Sequence, residues 1–183
     1  MSIRKIARMG HPVLSRKAAP VVDPAAPAVR RLIADMVETM HDAGGAGLAA
    51  PQVHEAQRIV IFHAPAERGE EAQSPEETAP LTVLVNPEIE ILTDEMEEGW
   101  EGCLSVPGLR GLVPRYTRLR YRGLDAGGEP FERQASGFHA RVVQHECDHL
   151  DGVLYPQRMR NLSTLIFESE WRYWVPAREG GTS

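Results

Sequence analysis

The fold is decided by one stretch, Gln144-His145-Glu146-Cys147-Asp148-His149-Leu150-Asp151-Gly152. An α-helix turns by about 100° per residue, so side chains four positions apart lie on one face, one turn above the other. A helix here would point the imidazoles of His145 and His149 at one metal ion, with the Glu146 carboxylate beside the first. Such a carboxylate can take a proton from a metal-bound water, so the pattern favours metal chemistry. A buried amphipathic helix with two hydrogen-bonded histidines is the alternative that this motif leaves open.

The flanking residues support a helix at this motif. Phe138 and Val142 continue the face that carries the two histidines, and Gly152 offers a left-handed stop just past the end. Apolar residues at helical spacing between positions 29 and 40 predict an earlier helix, which begins near Asp23-Pro24 because Asp caps free amides and Pro fits the first turn.

Short apolar and β-branched runs predict strands. Asp125-Ala126-Gly127-Gly128 is a plausible hairpin turn between the last two of them. Beyond the histidine motif, Asn161 is a candidate cap for a last helix that would carry Leu162, Leu165, Ile166 and Trp174. The predicted strands cover residues 58–62, 81–85, 88–92, 116–122 and 129–135.

These elements predict a single domain over residues 1–183 with an α+β fold. Mixed or antiparallel β-sheets would pack around the central helix with the histidine motif, accompanied by an N-terminal helix and a C-terminal helix. Residues 64–80, rich in Glu, Pro, Ala and Gly, predict an exposed loop. Residues 175–183 predict a frayed tail.

Composition and charge indicate where the protein is located and which classes of partner it does not bind. The net charge is −6 with no block of Lys and Arg, which argues against direct binding of nucleic acid. No apolar run approaches the roughly 18 residues of a membrane span, and the N-terminus lacks an apolar signal core. We therefore expect a cytosolic protein. The sequence does not indicate an oligomeric state, and a monomer is the default.

The two cysteines, Cys103 and Cys147, are expected to be reduced thiols. Cys147 follows His145 by roughly 160° of helical rotation, so it should face the core and not the metal. Asp148 and Asp151 are candidates for orienting a ligand imidazole, with a capping or solvated role as the alternative.

Two other segments are candidates for the same site. Residues 45–52, Gly-Ala-Gly-Leu-Ala-Ala-Pro-Gln, are small enough for an extended peptide to lie against their backbone. A tight turn packed on the core is the alternative. Residues 98–108 place Cys103 between a glycine and a turn-prone segment, where it is either a buried apolar side chain or a thiolate ligand.

The order of three motifs, residues 45–52, 101–105 and 145–150, resembles the peptide deformylase family, metal hydrolases that remove the formyl group from the initiator methionine of nascent proteins. The resemblance implies that Cys103, His145 and His149 hold the metal and leave a fourth position for water. It also implies that Glu146 is the general base and acid. Gln52 and the backbone amide of Leu104 would hold the oxyanion.

The resemblance further implies substrate contacts at Gly45, Ala46, Gly47, Arg110 and Val142, with Arg110 near the pocket for the methionine side chain. Two positions depart from the family. Ala46 stands where a bulkier apolar residue is usual, so we expect a wider pocket on that side. Arg141, one turn before His145, stands where some relatives are apolar; it would line the pocket rim or point to solvent.

The implied cofactor is one divalent ion, Fe²⁺ in the cell, which Zn²⁺, Ni²⁺ or Co²⁺ can replace. The implied partners are N-formylmethionyl peptides of nascent chains, with transient proximity to the ribosome. The formyl-methionine context implies a bacterial cytoplasm.

Two rival readings remain at this point. A zinc endopeptidase would take a downstream carboxylate, Glu168 or Glu170, as its third ligand, and would leave the Cys103 and Gln52 segments unexplained. A relative without turnover would bind the metal alone, and it would have no chemical need for the base and the oxyanion amide.

Overall fold

Residues 2–65 and 74–174 are described by a computed structural model. The histidine motif lies in helix α2 (Gly137–Leu150), and Gly152 follows it with a φ of 74°, as a left-handed stop requires. Strands of two antiparallel sheets pack against α2. The predicted α+β fold around a central helix is confirmed.

The larger sheet has five strands, and neighbouring strands are antiparallel. Its short first strand lies at one edge, within the segment of small residues 45–52. In spatial order the strands are β1 (Gly47–Ala49), β2 (Ile59–Ala64), β3 (Ala79–Ile91), β6 (Arg118–Leu124) and β7 (Pro130–Ser136).

The smaller sheet has three strands, β4 (Met96–Cys103), β5 (Val106–Tyr116) and β8 (Ile166–Phe167). The first two form a hairpin whose turn is Leu104-Ser105. The sequence predicted only a turn-prone segment here, because glycines, prolines and charges interrupt the alternation of polar and apolar residues. The hairpin sets Cys103 at the very end of β4.

The predicted N-terminal helix is α1 (Pro27–Asp42). It begins a few residues later than expected, since Asp23 accepts a bond from the backbone N–H of Ala25 in a turn outside the helix. Its apolar stripe packs with β1 and β2 into one hydrophobic cluster, and α2 packs with the five-stranded sheet into another. Burying each Leu, Ile or Met of these clusters contributes about 1.5–3 kcal/mol.

Two predicted strands, 81–85 and 88–92, are a single strand, β3. The expected break is a local irregularity in which Asn86 adopts a φ of 53° and the register against β6 shifts. Asn86 stabilises it by exchanging two hydrogen bonds with the backbone of Val21, at 2.8 and 2.9 Å.

The continuous last helix that we expected from Asn161 is divided. Asn161 does cap a helical turn, accepting from the N–H of Ser163 at 2.9 Å, but strand β8 follows and a second 3-10 helix comes after it. Of the predicted loop 64–80, residues 66–73 lie outside the described part, as does the predicted tail 175–183. The 3-10 helices are Pro12–Ser15, Ala50–Val53, Tyr155–Gln157, Leu162–Thr164 and Glu168–Tyr173.

None of the helices among residues 2–65 and 74–174 is long and apolar enough to cross a membrane.

Candidate metal centre and active site

The end of β4 and the middle of α2 bring together three side chains that can bind a metal. The sulfur of Cys103 and one ring nitrogen each of His145 and His149 lie within 4.8 Å of one another. Cys103 Sγ is 3.4 Å from His149 Nε2. Metal bonds of about 2.3 Å to sulfur and about 2.0 Å to nitrogen put the sulfur and nitrogen ligand atoms of one tetrahedral ion about 3.5 Å apart, so the residues fit a metal ion.

The ring of His145 is oriented by Glu101. His145 Nδ1 lies 2.8 Å from Glu101 Oε2, which leaves Nε2 for the cluster. Burial opposes ionisation of Glu101, but hydrogen bonds from His145 and from Arg115 lower its pKa to about 2. Burial would lower the pKa of His145, yet its contacts with Cys103 and Glu101 raise it well above the ordinary value.

Glu146 is a buried carboxylate next to the cluster. Burial raises its pKa to about 7, which suits a group that takes and returns a proton near neutral pH. Its Oε2 is buried without a hydrogen-bond partner in the described residues. A Cβ at position 47 would overlap the carboxylate, so Gly47 permits the close approach of β1 to Glu146.

The side chain of Gln52 is held so that its amide nitrogen faces the cluster. Oε1 accepts from the N–H of Ala49 at 2.8 Å, and this bond fixes the orientation of the amide. Nε2 then donates to Ser105 Oγ at 3.1 Å and lies 3.5 Å from Cys103 Sγ. The Leu104-Ser105 turn is adjacent, and the N–H of Ser105 is directed at Cys103 Sγ over 3.4 Å.

A cavity of about 540 Å³ opens over the cluster. All but one of the site residues predicted from the sequence contribute to its lining, and the exception is His149, which is buried beneath them. The predicted residues that line it are Gly45, Ala46, Gly47, Gln52, Cys103, Leu104, Arg110, Val142, His145 and Glu146.

Arg110 lies at the side of this cavity and is already paired. Its Nε is 2.8 Å from Glu168 Oε1, and its guanidinium lies 5.0 Å from the ring centre of Trp171. Glu168 and Glu170 are outside the cluster of potential ligands that the described part of the chain forms. The carboxylate ligand that an endopeptidase would need is therefore absent from that cluster.

The aspartates next to the motif contact arginines and not imidazoles. Asp148 accepts from Arg115 and from Arg158, each at 2.6 Å, and Asp151 pairs with Arg58 at 2.8 Å. Of the two roles that the sequence left open for these aspartates, orientation of a ligand imidazole is not observed, and both carboxylates form ion pairs instead. Cys147 is buried in the core cluster around α2, as predicted.

The group that does orient His145 was missed. Glu101 opens the motif 101–105, which is the one signal that could have identified it, because its residue type does not distinguish it from the exposed glutamates just before it. Its partner Arg115, on the facing strand β5, carries no signal in the sequence. Only the packing of the hairpin on α2 brings them to the ligand.

A Cys-His-His cluster, a buried carboxylate beside it and an open cavity above define the class of mononuclear metal-dependent hydrolases. Residues 3–164 match the profile of the polypeptide deformylase family. Peptide deformylase 1 of Bordetella pertussis is 58% identical over 162 residues, covering 88% of this chain and 90% of that protein. Peptide deformylase 1 of Nitrosomonas europaea is 52% identical and covers 87% of this chain and 89% of its own length.

The structures agree. The crystal structure of peptide deformylase from Ehrlichia chaffeensis superposes with a TM-score of 0.81 at 33% identity, covering 89% of this chain and 91% of that one. The enzyme from Thermotoga maritima gives 0.76 at 34% identity, covering 88% and 100%. This chain belongs to the polypeptide deformylase family, whose members use a metal ion to remove the N-formyl group from nascent polypeptides.

Proposed function

We propose that this chain hydrolyses the formamide at the N-terminal methionine of nascent polypeptides and releases formate, with Glu146 as the proton-transfer group. The observation that carries the proposal is the position of Glu146. It is buried beside the Cys103-His145-His149 cluster, faces the cavity and has a pKa of about 7. A carboxylate in this state can take a proton at neutral pH and give it back.

Cys103, His145 and His149 would hold the ion. A divalent ion there would polarise the formyl group and acidify the attacking water. Glu146 takes one proton from that water as its oxygen bonds to the formyl carbon. When the carbon–nitrogen bond breaks, Glu146 returns the proton to the leaving amino group, and formate departs.

Gln52 and the Leu104 amide are the donors we assign to the developing negative charge on the formyl oxygen. The Gln52 amide is held in place by Ala49 and Ser105, so it needs little rearrangement to bond the oxyanion as the reaction proceeds. Donors fixed in this way stabilise a transition state more than they stabilise the bound substrate.

The peptide would bind along Gly45, Ala46 and Gly47. Strand β1 is an edge strand of its sheet, and this segment lines the cavity. An extended peptide can add to such an edge through backbone hydrogen bonds. Val142 on α2 would contact the methionine side chain, and Arg110, held by Glu168, would lie near the pocket for that side chain.

We infer Fe²⁺ as the ion in the cell, with Zn²⁺, Ni²⁺ or Co²⁺ able to replace it. Thiolate and imidazole ligands suit all of these ions, so availability and geometry decide which is bound. We further propose that residues 1–183 form one catalytic domain that works in a bacterial cytoplasm near the ribosome. Metal analysis of protein purified with and without oxygen tests the choice of ion.

The decisive experiment measures formate release from formyl-Met-Ala-Ser by protein purified without oxygen, with bound metal quantified in the same sample. We expect turnover in the wild type and its loss in Glu146→Ala with metal still bound. Full metal occupancy without formate release would overturn the proposal, and cleavage of casein by the same sample would support the endopeptidase instead.

A further inference from the structure

Arg141 bonds to Glu101, the carboxylate that orients the ligand His145. It lies one turn before His145 on α2, and its side chain is only 13% exposed. The guanidinium crosses from the helix to the β4–β5 hairpin. It donates to Glu101 Oε1 at 3.0 Å and to the carbonyl oxygens of Glu97 at 2.8 Å, Val113 at 2.8 Å and Gly99 at 3.4 Å.

Gly99 makes this crossing possible. A Cβ at position 99 would lie 2.6 Å from Cζ and from Nη2 of Arg141, and 2.8 Å from its Nε. The plane of the guanidinium therefore rests on the glycine. Gly99 is not among the glycines with positive φ, so the guanidinium, and not the backbone conformation, excludes a side chain there. Gly99 and Arg141 fit each other as a pair.

The pair acts on the carboxylate that orients His145. Glu101 Oε1 accepts from Arg115 and from Arg141, and Oε2 accepts from Arg115 and faces His145 Nδ1. Arg115 comes from the same hairpin as Glu101, whereas Arg141 comes from the same helix as His145. Arg141 therefore holds the carboxylate directly from the helix that carries the ring, and Arg115 adds an indirect connection to the same helix through Asp148 at 2.6 Å.

We propose that Arg141, seated on Gly99, is a positioning residue for the metal centre: it holds Glu101, and through it the ring of His145, in the orientation for binding a metal. Arg141 touches neither the metal ligands' donor atoms nor the reacting groups. The inference rests on the proposed function only in that the cluster binds a metal ion.

Loss of the hydrogen bond between Arg141 and Glu101 should weaken the binding of the metal ion. Substitutions of groups that orient a ligand histidine typically cost about 10- to 100-fold in metal affinity. Arg141 acts through Glu101, and Arg115 remains as a second support, so we expect the lower end, about tenfold. Since a Cβ at position 99 displaces the same guanidinium, Gly99→Ala should have the effect of removing it.

The test loads Co²⁺ into wild type, Arg141→Met, Gly99→Ala and the double variant, and follows its release to a chelator and its visible absorption spectrum. We expect about tenfold faster release and an altered spectrum in both single variants. The double variant should be no worse than Arg141→Met, because alanine at position 99 then meets no guanidinium. Arg141→Lys, with one charged group and fewer donors, should be intermediate.

Arg122→Met is the matched control, since Arg122 pairs with Glu88 where both side chains are 66% exposed. It should release Co²⁺ at the wild-type rate. A lower melting temperature of the Arg141 variants with unchanged release and spectrum would overturn the proposal, because Arg141 would then only brace the hairpin. Additive effects in the double variant would overturn the pairing. A wild type that binds no Co²⁺ would overturn the metal site itself.

Discussion

Helix α2 carries two histidines in opposite situations, the buried His139 and the partly buried His145. Both ring nitrogens of His139 are used within the protein. Nδ1 donates to the carbonyl oxygen of Glu76 at 2.7 Å, and Nε2, 3.2 Å from the hydroxyl of Tyr121, accepts from it. Burial lowers the pKa of His139, which keeps the ring neutral. His145 instead gives one nitrogen to a carboxylate and directs the other at Cys103 and His149.

The difference teaches how to tell a structural polar group from one that serves the site. A structural group has all its polar atoms satisfied by the protein, whereas a site group is held on one side and left available on the other. Two buried glutamines differ in a related way. Gln144 exchanges bonds with the backbone N–H and C=O of Tyr116 at 3.1 and 2.9 Å, while Gln52, held by Ala49 and Ser105, directs its Nε2 at Cys103 Sγ beside the cavity.

The largest effect should separate the two histidines. We expect His145→Gln to lose the metal, because two ligands remain and the buried Glu101 loses the imidazole it orients. His139→Gln should keep one metal per chain, since a glutamine can donate to the Glu76 carbonyl and accept from Tyr121. Metal content after gel filtration measures both. Equal loss in the two variants would mean that the comparison is wrong.

The second largest effect should separate the two glutamines, Gln52 through the rate and Gln144 through stability. Gln52→Leu should retain metal and lose about 10²–10³ in kcat, the usual loss for one donor to an oxyanion. Gln144→Leu leaves the Tyr116 N–H and C=O unpaired, so it should cost about 1–3 kcal/mol of stability with kcat changed only a few-fold. Formate release and urea unfolding of both variants make the comparison. An unchanged rate in Gln52→Leu would remove Gln52 from the mechanism.

We expect a smaller loss of metal affinity when Glu101, the carboxylate partner of His145, is changed. Glu101→Gln should weaken metal binding by about 10- to 100-fold, since the neutral amide orients the imidazole less strongly. It also leaves Arg115 with less negative charge around it, so some stability is lost. Tyr121→Phe, the matching change at His139, should leave metal affinity as it is. Competition with a chelating dye measures the affinities, and identical values for Glu101→Gln and wild type would contradict the role of Glu101.

The sequence was sufficient where function depends on spacing within one element. His145 and His149 share a face because they are four apart in a helix, and Glu146 follows from the same geometry. The apolar stripe of α1 and the hairpin of β6 and β7 were also recognisable from periodicity and turn residues. Cys103 was ambiguous by itself, and only the order of the three motifs favoured a ligand.

The rest depends on contacts between elements, which spacing does not encode. Glu101 and Arg141 are 40 positions apart and meet because the hairpin packs on α2. The continuity of β3 depends on Asn86 bonding to Val21, 65 positions away. Hairpin β4–β5 escaped detection because residues such as Gly99, which admits the guanidinium of Arg141, interrupt the alternation of polar and apolar residues.

The smallest effect concerns the pH dependence of stability at His139. Burial lowers the pKa of His139 in the folded protein. Below about pH 6.5, His139 therefore binds a proton in the unfolded chain but stays neutral in the folded protein. The unfolded state then binds more protons, and stability falls as the pH drops below 6.5 toward the folded pKa. The slope contributed by one such group is at most about 1.4 kcal/mol per pH unit. His139→Gln should remove this contribution and retain the other titrations of the molecule. The difference in unfolding free energy between wild type and variant should therefore be constant above pH 7. Between pH 6.5 and 5.5 it should shift in favour of the variant. A difference that stays constant across the whole range would mean that His139 is protonated as easily in the folded protein as in the unfolded chain, and its environment would then not differ from that of a solvated histidine.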